Sequence, residues 1–251
     1  MKNQRAKGSL GLLGAMTMCG LLAVGAPAAH AVPALQLDIA GGFYDTTTQT
    51  IMTNENTFTL YALLDPGVRS TPVTGTYYLS VALSPATSSP ASLGSFTFGG
   101  TNVDVTSGMT YGTPPIELGG VATTDPGDLA PHGTYPTYFR EFVFTFNPLN
   151  TSSVYNTALT PGGIQAGTGL LYAAFTVDRS LLNSPYQLHF DLYNESFKLR
   201  TGDTDVNRFA PFSHDAGTTT RGVPEPSTAL LMGVGLLGFG VWQRKRAAQA
   251  I

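Results

Sequence analysis

Apolar and polar residues alternate along most of the middle of this chain, and this period of two constrains the fold more than any other feature. The alternation is clear at Leu35, Leu37 and Ile39, whereas long runs with helical periodicity are missing. Alternation of this kind is typical of β-strands that bury one face. The sequence therefore predicts an all-β chain.

Turn residues (glycine, proline and aspartate) separate the alternating segments. Besides 35–39, these segments are residues 58–64, 77–83, 94–98, 102–106, 138–146, 171–177 and 188–192, with a short edge strand at 197–199. The stretches 107–136, 150–168 and 201–222 are expected to be loops. Eight or nine strands without β–α alternation predict an antiparallel β-sandwich, with a closed barrel as the lesser alternative.

Residues 32–222 are expected to form one domain, since this length supplies a sufficient hydrophobic core. The segment contains no cysteine, so it can form no disulfide. It carries seven Lys and Arg against fifteen Asp and Glu, a net charge of about −8. An acidic surface repels nucleic acid, which is therefore not expected as a partner, while neutral glycans and divalent cations remain compatible with it.

The N-terminus has the pattern of a secretory signal peptide. Three basic residues precede an apolar run at 10–24, and Ala29 and Ala31 form a small-x-small cleavage site. We predict a signal peptide at residues 1–31, with the Sec translocase and a signal peptidase as partners.

The C-terminus combines a proline-rich hinge, an apolar run and a basic end. Residues 228–242 carry no charge, and residues 243–251 contain an Arg-Lys-Arg cluster. Fifteen helical residues cover about 22 Å, somewhat short of a hydrocarbon core of about 30 Å. Basic residues flanking a membrane span stay on the cytoplasmic side. We predict a single transmembrane helix at 228–242 with a cytoplasmic C-terminus.

Residues 223–251 closely resemble the PEP-CTERM sorting signal. The resemblance rests on Pro224, Glu225 and Pro226, on the glycine-containing apolar segment, and on the basic end. It implies recognition by an exosortase, with the tail removed or exchanged, in a Gram-negative bacterium that makes extracellular polysaccharide.

The segment between the two ends resembles the "choice-of-anchor N" family of bacterial surface proteins. Four stretches carry this resemblance: residues 35–45, 132–139, 188–193 and 209–216. It implies an exported, anchored and β-rich domain, and it assigns no catalytic residue.

The histidines of the mature segment lie near carboxylates and are candidates for a polar or transition-metal cluster. The candidate residues are His132, His189, Asp191, His214 and Asp215. No two histidines have a short ligand spacing, so their convergence depends on the fold. The alternative is that His189 and Asp191 are neighbours on a solvated sheet surface and that the other two histidines form hydrogen bonds in loops.

The segment that contains Asp203, Asp205 and Asn207 resembles the start of a calcium-binding loop. An EF-hand needs Gly at the sixth position and Glu at the twelfth, where this chain has Arg208 and His214. The EF-hand motif therefore fails. A looser site of oxygen ligands for Ca²⁺ and a set of solvated turn residues are the two remaining interpretations.

The sequence gives little support for catalysis, because it has no nucleophile elbow, zinc-protease motif or phosphate-binding loop. A pair of carboxylates for glycoside hydrolysis, such as Asp38 and Asp45, depends on a separation that only the fold can supply. Exposed tyrosines suggest a stacking platform for sugar rings, or ordinary aromatic residues of a sheet surface. They are Tyr61, Tyr78, Tyr172 and Tyr193.

We therefore expect a non-enzymatic protein, anchored briefly in the inner membrane and then displayed on the cell surface or in the extracellular matrix. Its expected role is structural or interactive, within the envelope or an exopolysaccharide biofilm matrix. The alternatives are a glycan- or calcium-binding module of that matrix and, with less support, a surface hydrolase.

Overall fold

A computed structural model describes residues 31–114, 116–117, 120–121, 136–200 and 202–220. Within these ranges the chain contains β-strands, turns and one 3-10 turn at Phe212–His214. The all-β class is therefore confirmed. The predicted signal peptide (apart from Ala31), His132, and the predicted membrane helix with its sorting motif and basic tail lie outside the described residues.

The strands are short, and most are bounded by the turn residues noted above. In chain order they are β1 (Leu35–Ile39), β2 (Phe43–Asp45), β3 (Thr50–Thr53), β4 (Thr57–Leu64), β5 (Tyr77–Ser84), β6 (Ser95–Phe98), β7 (Thr101–Asp104), β8 (Thr110–Gly112), β9 (Ile116–Glu117), β10 (Gly120–Val121), β11 (Thr137–Phe144), β12 (Thr151–Ser153), β13 (Gly169–Asp178), β14 (Gln187–Lys198), β15 (Asp203–Phe209) and β16 (Ala216–Thr218).

These strands form two large sheets and one small hairpin. The six-stranded sheet has the order β1-β4-β13-β6-β7, with β12 also beside β13. The eight-stranded sheet has the order β2-β3-β16-β14-β5-β11-β8, with β15 also beside β14, and β9 pairs with β10. The pairing is antiparallel except between β16 and β3, which run parallel. The purely antiparallel arrangement that we expected is wrong at this one pair.

The two large sheets pack on one shared core. Leu37 and Leu60 of the first sheet belong to the same buried cluster as Leu79 and Leu192 of the second. Aromatic rings also meet across the sheets, and the centroids of Phe58 and Phe190 are 6.1 Å apart. The arrangement is that of a β-sandwich, as the alternation predicted, because each strand turns its apolar face toward the opposite sheet.

Some predicted connectors contain strands. The expected loop 201–222 holds β15 and β16, and the expected edge strand at 197–199 is instead the end of β14, which pairs with β15. The strands β2, β3 and β16 have three or four residues each, too few to show a period of two. Pairing with longer neighbours stabilises such strands, and this is not visible in local sequence.

No helix in the described ranges is long and apolar enough to cross a membrane.

Candidate metal centre

The face of the eight-stranded sheet that points away from the core carries a buried polar cluster. Because Leu188, Phe190 and Leu192 point into the core, the alternate residues His189 and Asp191 of β14 lie on the opposite face, as predicted. Asp191 is only 2% exposed. The two residues are therefore neighbours on one face, but the alternative of a solvated surface is wrong for Asp191, while the side chain of His189 keeps 17% of its surface exposed.

Strand pairing brings a third residue to this pair. His189 pairs with Gly217 and Phe190 with Ala216, so Asp215, the residue directly before β16, comes close to the pair on β14. Asp215 is fully buried. The local sequence shows no sign of this contact, because β16 consists of only Ala-Gly-Thr.

The ligand atoms of these three residues are close enough to share one metal ion. His189 Nε2 lies 3.1 Å from Asp191 Oδ1 and 3.9 Å from Asp215 Oδ2. Two ligands bound to a zinc ion at about 2.1 Å each lie no more than about 4.2 Å apart. Both His189 distances meet this limit, and all three ligand atoms lie within 4.8 Å of one another. An imidazole nitrogen with two carboxylate oxygens is a donor set that zinc, manganese and iron accept. The three side chains are therefore candidate ligands for a first-row transition metal.

Two further polar residues extend the cluster across the sheet. Asp191 of β14 pairs with Ser80 of β5, and Ser80 in turn pairs with Glu141 of β11. The Ser80 hydroxyl is buried and makes no hydrogen bond within the part of the chain that the structure describes. Ser80 and Glu141 were not identified from the sequence, although Ser80 is the polar residue at an alternate position in an apolar strand.

Aromatic residues close one side of the cluster. The Tyr193 hydroxyl donates a hydrogen bond to Glu141 Oε1. The ring of Tyr78 stacks on that of Tyr193 with centroids 5.5 Å apart. Burial, reinforced by nearby Glu195 and Glu141, raises the pKa of Tyr78 to about 12. Burial, reinforced by Glu141, also raises the pKa of Tyr193. Both phenols therefore stay protonated at neutral pH and can donate hydrogen bonds.

The tyrosines do not form the exposed platform that the sequence suggested. Tyr193 is fully buried, and Tyr61 packs edge-on against Tyr172, with both rings half-buried.

The two residues of the possible carboxylate pair have different environments. Asp38 is fully buried and accepts hydrogen bonds from the backbone, while Asp45 accepts a hydrogen bond from Thr47 N in a turn.

His214 lies outside the cluster and has a structural role. Its Nε2 lies 2.9 Å from Asn156 Oδ1, and its Nδ1 lies 2.8 Å from the Ser213 hydroxyl. The Asn156 oxygen can only accept, so we assign the ring proton to Nε2. Burial lowers the pKa of His214 to about 4, which keeps the ring neutral. The prediction that His214 joins a metal cluster is therefore wrong.

The predicted calcium-binding residues lie on a strand rather than in a loop. Asp203, Asp205 and Asn207 all belong to β15, which pairs with the end of β14. Asp205 is buried, and Asn207 donates from Nδ2 to the Ser70 carbonyl at 2.7 Å. The expectation of a loop is wrong because pairing with β14 provides backbone partners for this polar segment.

Comparison with known protein families gave one match. The PEP-CTERM protein-sorting motif matches residues 222–245, which include Pro224, Glu225 and Pro226. This motif indicates a protein that an exosortase sorts and that is exported toward the cell surface. The comparisons with curated proteins and with solved structures gave no match.

Proposed function

We propose that residues 32–222 are a non-catalytic structural or interaction module of the cell envelope or the exopolysaccharide matrix. The observation that carries this proposal is the sorting motif at 222–245, which directly follows a β-sandwich whose two sheets share a hydrophobic core. A cargo that is exported and released needs a rigid and self-contained fold, and this sandwich supplies one. The acidic charge of the module also suits a matrix that contains divalent cations.

The proposed delivery has three steps. The Sec translocase exports the chain, and a signal peptidase cuts after Ala31. The segment 228–242 then holds the protein in the inner membrane with its C-terminus in the cytoplasm. Finally, an exosortase recognises Pro224, Glu225 and Pro226 and releases or transfers the module.

Intact-mass measurement of the protein from its native host tests this delivery. We expect a mass that begins at Val32 and lacks the basic tail, and we expect the protein to separate with the extracellular polysaccharide fraction. The double substitution Pro224→Ala with Glu225→Ala should retain the protein in the membrane fraction. Pro90→Ala, at an exposed proline of the sandwich, is the matched control and should not change the distribution. A wild-type protein recovered in the cytosol with both ends intact would overturn the proposal.

A cation-binding module of the matrix is the second candidate function. The specific support is the convergence of His189, Asp191 and Asp215. A metal that binds only the folded state raises its stability, by about 2.7 kcal/mol when its concentration is a hundred times Kd. We expect Zn²⁺ or Mn²⁺ to raise the melting temperature of the protein and EDTA to reverse the effect.

Matched variants distinguish this site from non-specific binding. Asp215→Asn keeps the size of the side chain, removes one anionic ligand and should abolish most of the metal-dependent shift. Asp104→Asn removes one charge at an exposed position and should leave the shift unchanged. A calcium-dependent shift that Asp205→Asn abolishes would instead assign Ca²⁺ to β15. No shift with any of these metals would exclude the cation-binding candidate.

A further inference from the structure

A cavity of about 580 Å³ lies where β4 begins and β13 ends. Its size falls within the range of small-molecule sites in proteins. The residues that line it include Thr57 at the start of β4 and Arg179 directly after β13. The cavity is separate from the candidate metal centre, since none of His189, Asp191 and Asp215 lines it.

Arg179 is fixed in the wall of this cavity by backbone carbonyl groups. Its Nε donates to the Glu55 carbonyl at 3.1 Å, and its Nη2 donates to the carbonyls of Asn54 and Thr219 at 3.2 and 2.8 Å. Only 8% of the residue is exposed. A guanidinium group held in this way needs little reorganisation to bind a ligand.

One edge of the Arg179 guanidinium is left for a ligand. Its Nη1 makes no hydrogen bond to any residue in the described ranges, and this nitrogen is not among the buried unsatisfied atoms found there. Since Arg179 lines the cavity, Nη1 is the donor of this guanidinium that remains for a ligand there. A carboxylate of a ligand would add charge-assisted hydrogen bonds to this largely buried guanidinium. These bonds would act together with the attraction of the nearby Glu55 carboxylate, which also lines the cavity.

The rest of the lining is suited to a ligand that carries many hydroxyl groups. Besides Arg179 and the carboxylate of Glu55, it offers the amides of Asn54 and Asn56, the hydroxyls of Ser180, Ser184 and Thr220, and the half-buried ring of Tyr186. Amides and hydroxyls both donate and accept hydrogen bonds, as sugar hydroxyls require. An aromatic ring provides an apolar surface for the face of a sugar.

We propose that this cavity binds an acidic saccharide, with the Arg179 guanidinium on the carboxylate of a uronic acid and the amide and hydroxyl groups on the sugar hydroxyls. This site deepens the proposed interaction role, because it names a ligand class for the module, and it does not depend on how the tail is processed. The intact-mass measurement therefore tests the delivery route, the calorimetric titration tests the ligand, and each can fail without the other.

Calorimetric titration of the mature protein from its host, with glucuronate and a short uronic-acid oligosaccharide, tests the proposal. We expect binding of both uronates, and at least tenfold weaker binding of glucose, of the matching neutral oligosaccharide, of phosphate and of a short acidic peptide. Phosphate or the peptide binding as tightly as the uronates would overturn the saccharide assignment. Absence of uronate binding at millimolar concentration would overturn the site.

Two variants locate the site. Arg179→Lys keeps the charge but loses the planar fork, and it should weaken uronate binding at least tenfold. Because Arg179 also supports the fold, a second variant is needed that leaves Arg179 in place. Asn56→Asp places a negative charge on the exposed cavity wall and should also weaken uronate binding at least tenfold. Asn147→Asp adds the same charge at an exposed turn outside the cavity and should leave the affinity unchanged. Equal affinity in the Asn56→Asp and Asn147→Asp variants would overturn the proposal.

Discussion

The phenol of Tyr155 donates a hydrogen bond of 2.9 Å to Oδ2 of Asp38, a residue 117 positions earlier in the chain. Asp38 is fully buried on the outer side of β1, where its two oxygens also accept from the backbone N–H groups of Ile39, Gly162 and Gly163. Burial raises the pKa of Asp38, while these four donors act in the opposite direction. The carboxylate thus fixes the loop after β12 against the outside of the six-stranded sheet.

Removing this phenol should destabilise the protein measurably. Hydrogen bonds to charged groups contribute about 1.5–3 kcal/mol, so Tyr155→Phe should lower the free energy of unfolding by about 2 kcal/mol in urea titrations. Asp38→Ala should cost more, because it leaves several buried donors unsatisfied. Tyr111→Phe, at a tyrosine that is 48% exposed, is the control and should change stability by less than about 0.5 kcal/mol. Equal stabilities of the Tyr155 and Tyr111 variants would contradict this account.

His214 should make the stability of the protein depend on pH. Burial lowers the pKa of His214 to about 4, whereas the same group in the unfolded chain titrates near 6.5. Between these two values the unfolded chain binds more protons, so the free energy of unfolding should fall as the pH drops from 6.5 toward 4. The loss from this one residue should be of the order of 2 kcal/mol after allowance for solvent screening.

The variant His214→Gln separates this effect from the titration of carboxylates. The glutamine amide can still donate to Asn156 Oδ1, but it does not titrate. Urea unfolding at several pH values should therefore show a flatter profile for His214→Gln than for the wild type between pH 6.5 and 4. Parallel profiles over that range would show that the ring is not held neutral.

The sequence predicts the long strands of this fold better than the short ones. In β4 the buried residues Phe58, Leu60 and Ala62 alternate with less buried ones, so local pattern and burial agree. Strand β15 has acidic residues at alternate positions, and it is a strand only because the end of β14 pairs with it. The turn residues also predict where strands end, since the hairpin of β6 and β7 turns at Gly99 and Gly100 as expected.

The candidate sites are less accessible to sequence reasoning than the fold. His189 and Asp191 were placed on one face of one strand, which needs only a period of two. Asp215 joins them through a strand register that no local pattern encodes. Arg179 was not singled out at all, because a lone arginine after a strand resembles a solvated turn residue until the carbonyl groups around it are known.

Phe98 should be among the most sensitive positions of the core. Its ring stacks on Phe142 of the other sheet and on Phe175 of its own, with centroids 4.2 and 5.0 Å apart. Large-to-small changes at such sites cost about 3–5 kcal/mol, because the lost contacts leave a cavity. Phe98→Ala should lower the free energy of unfolding by that amount. Phe197→Ala, at a ring that is 60% exposed, is the control, and an equal loss there would mean that the ring cluster is not central to stability.

Two glycines with similar backbone angles should respond differently to alanine. Gly94 and Gly100 have φ values of 91° and 83°, a region in which an L-residue costs roughly 1–2 kcal/mol. At Gly100 a Cβ atom meets nothing within 4 Å, so Gly100→Ala should show only this backbone cost.

At Gly94 a Cβ atom would overlap the Leu181 carbonyl oxygen and lie 2.8 Å from Asn183 N. This neighbouring segment is held by backbone hydrogen bonds of 3.0 Å on both sides, from Ser95 N to Leu181 O and from Asn183 N to Leu93 O, so it cannot move away cheaply. Overpacking of this kind adds about 1–3 kcal/mol. Gly94→Ala should therefore melt several degrees below Gly100→Ala, since about 1 kcal/mol corresponds to about 2–4 °C in a domain of this size. Equal melting temperatures of the two variants would show that the contact between residues 94 and 181–183 is looser than the structure has it.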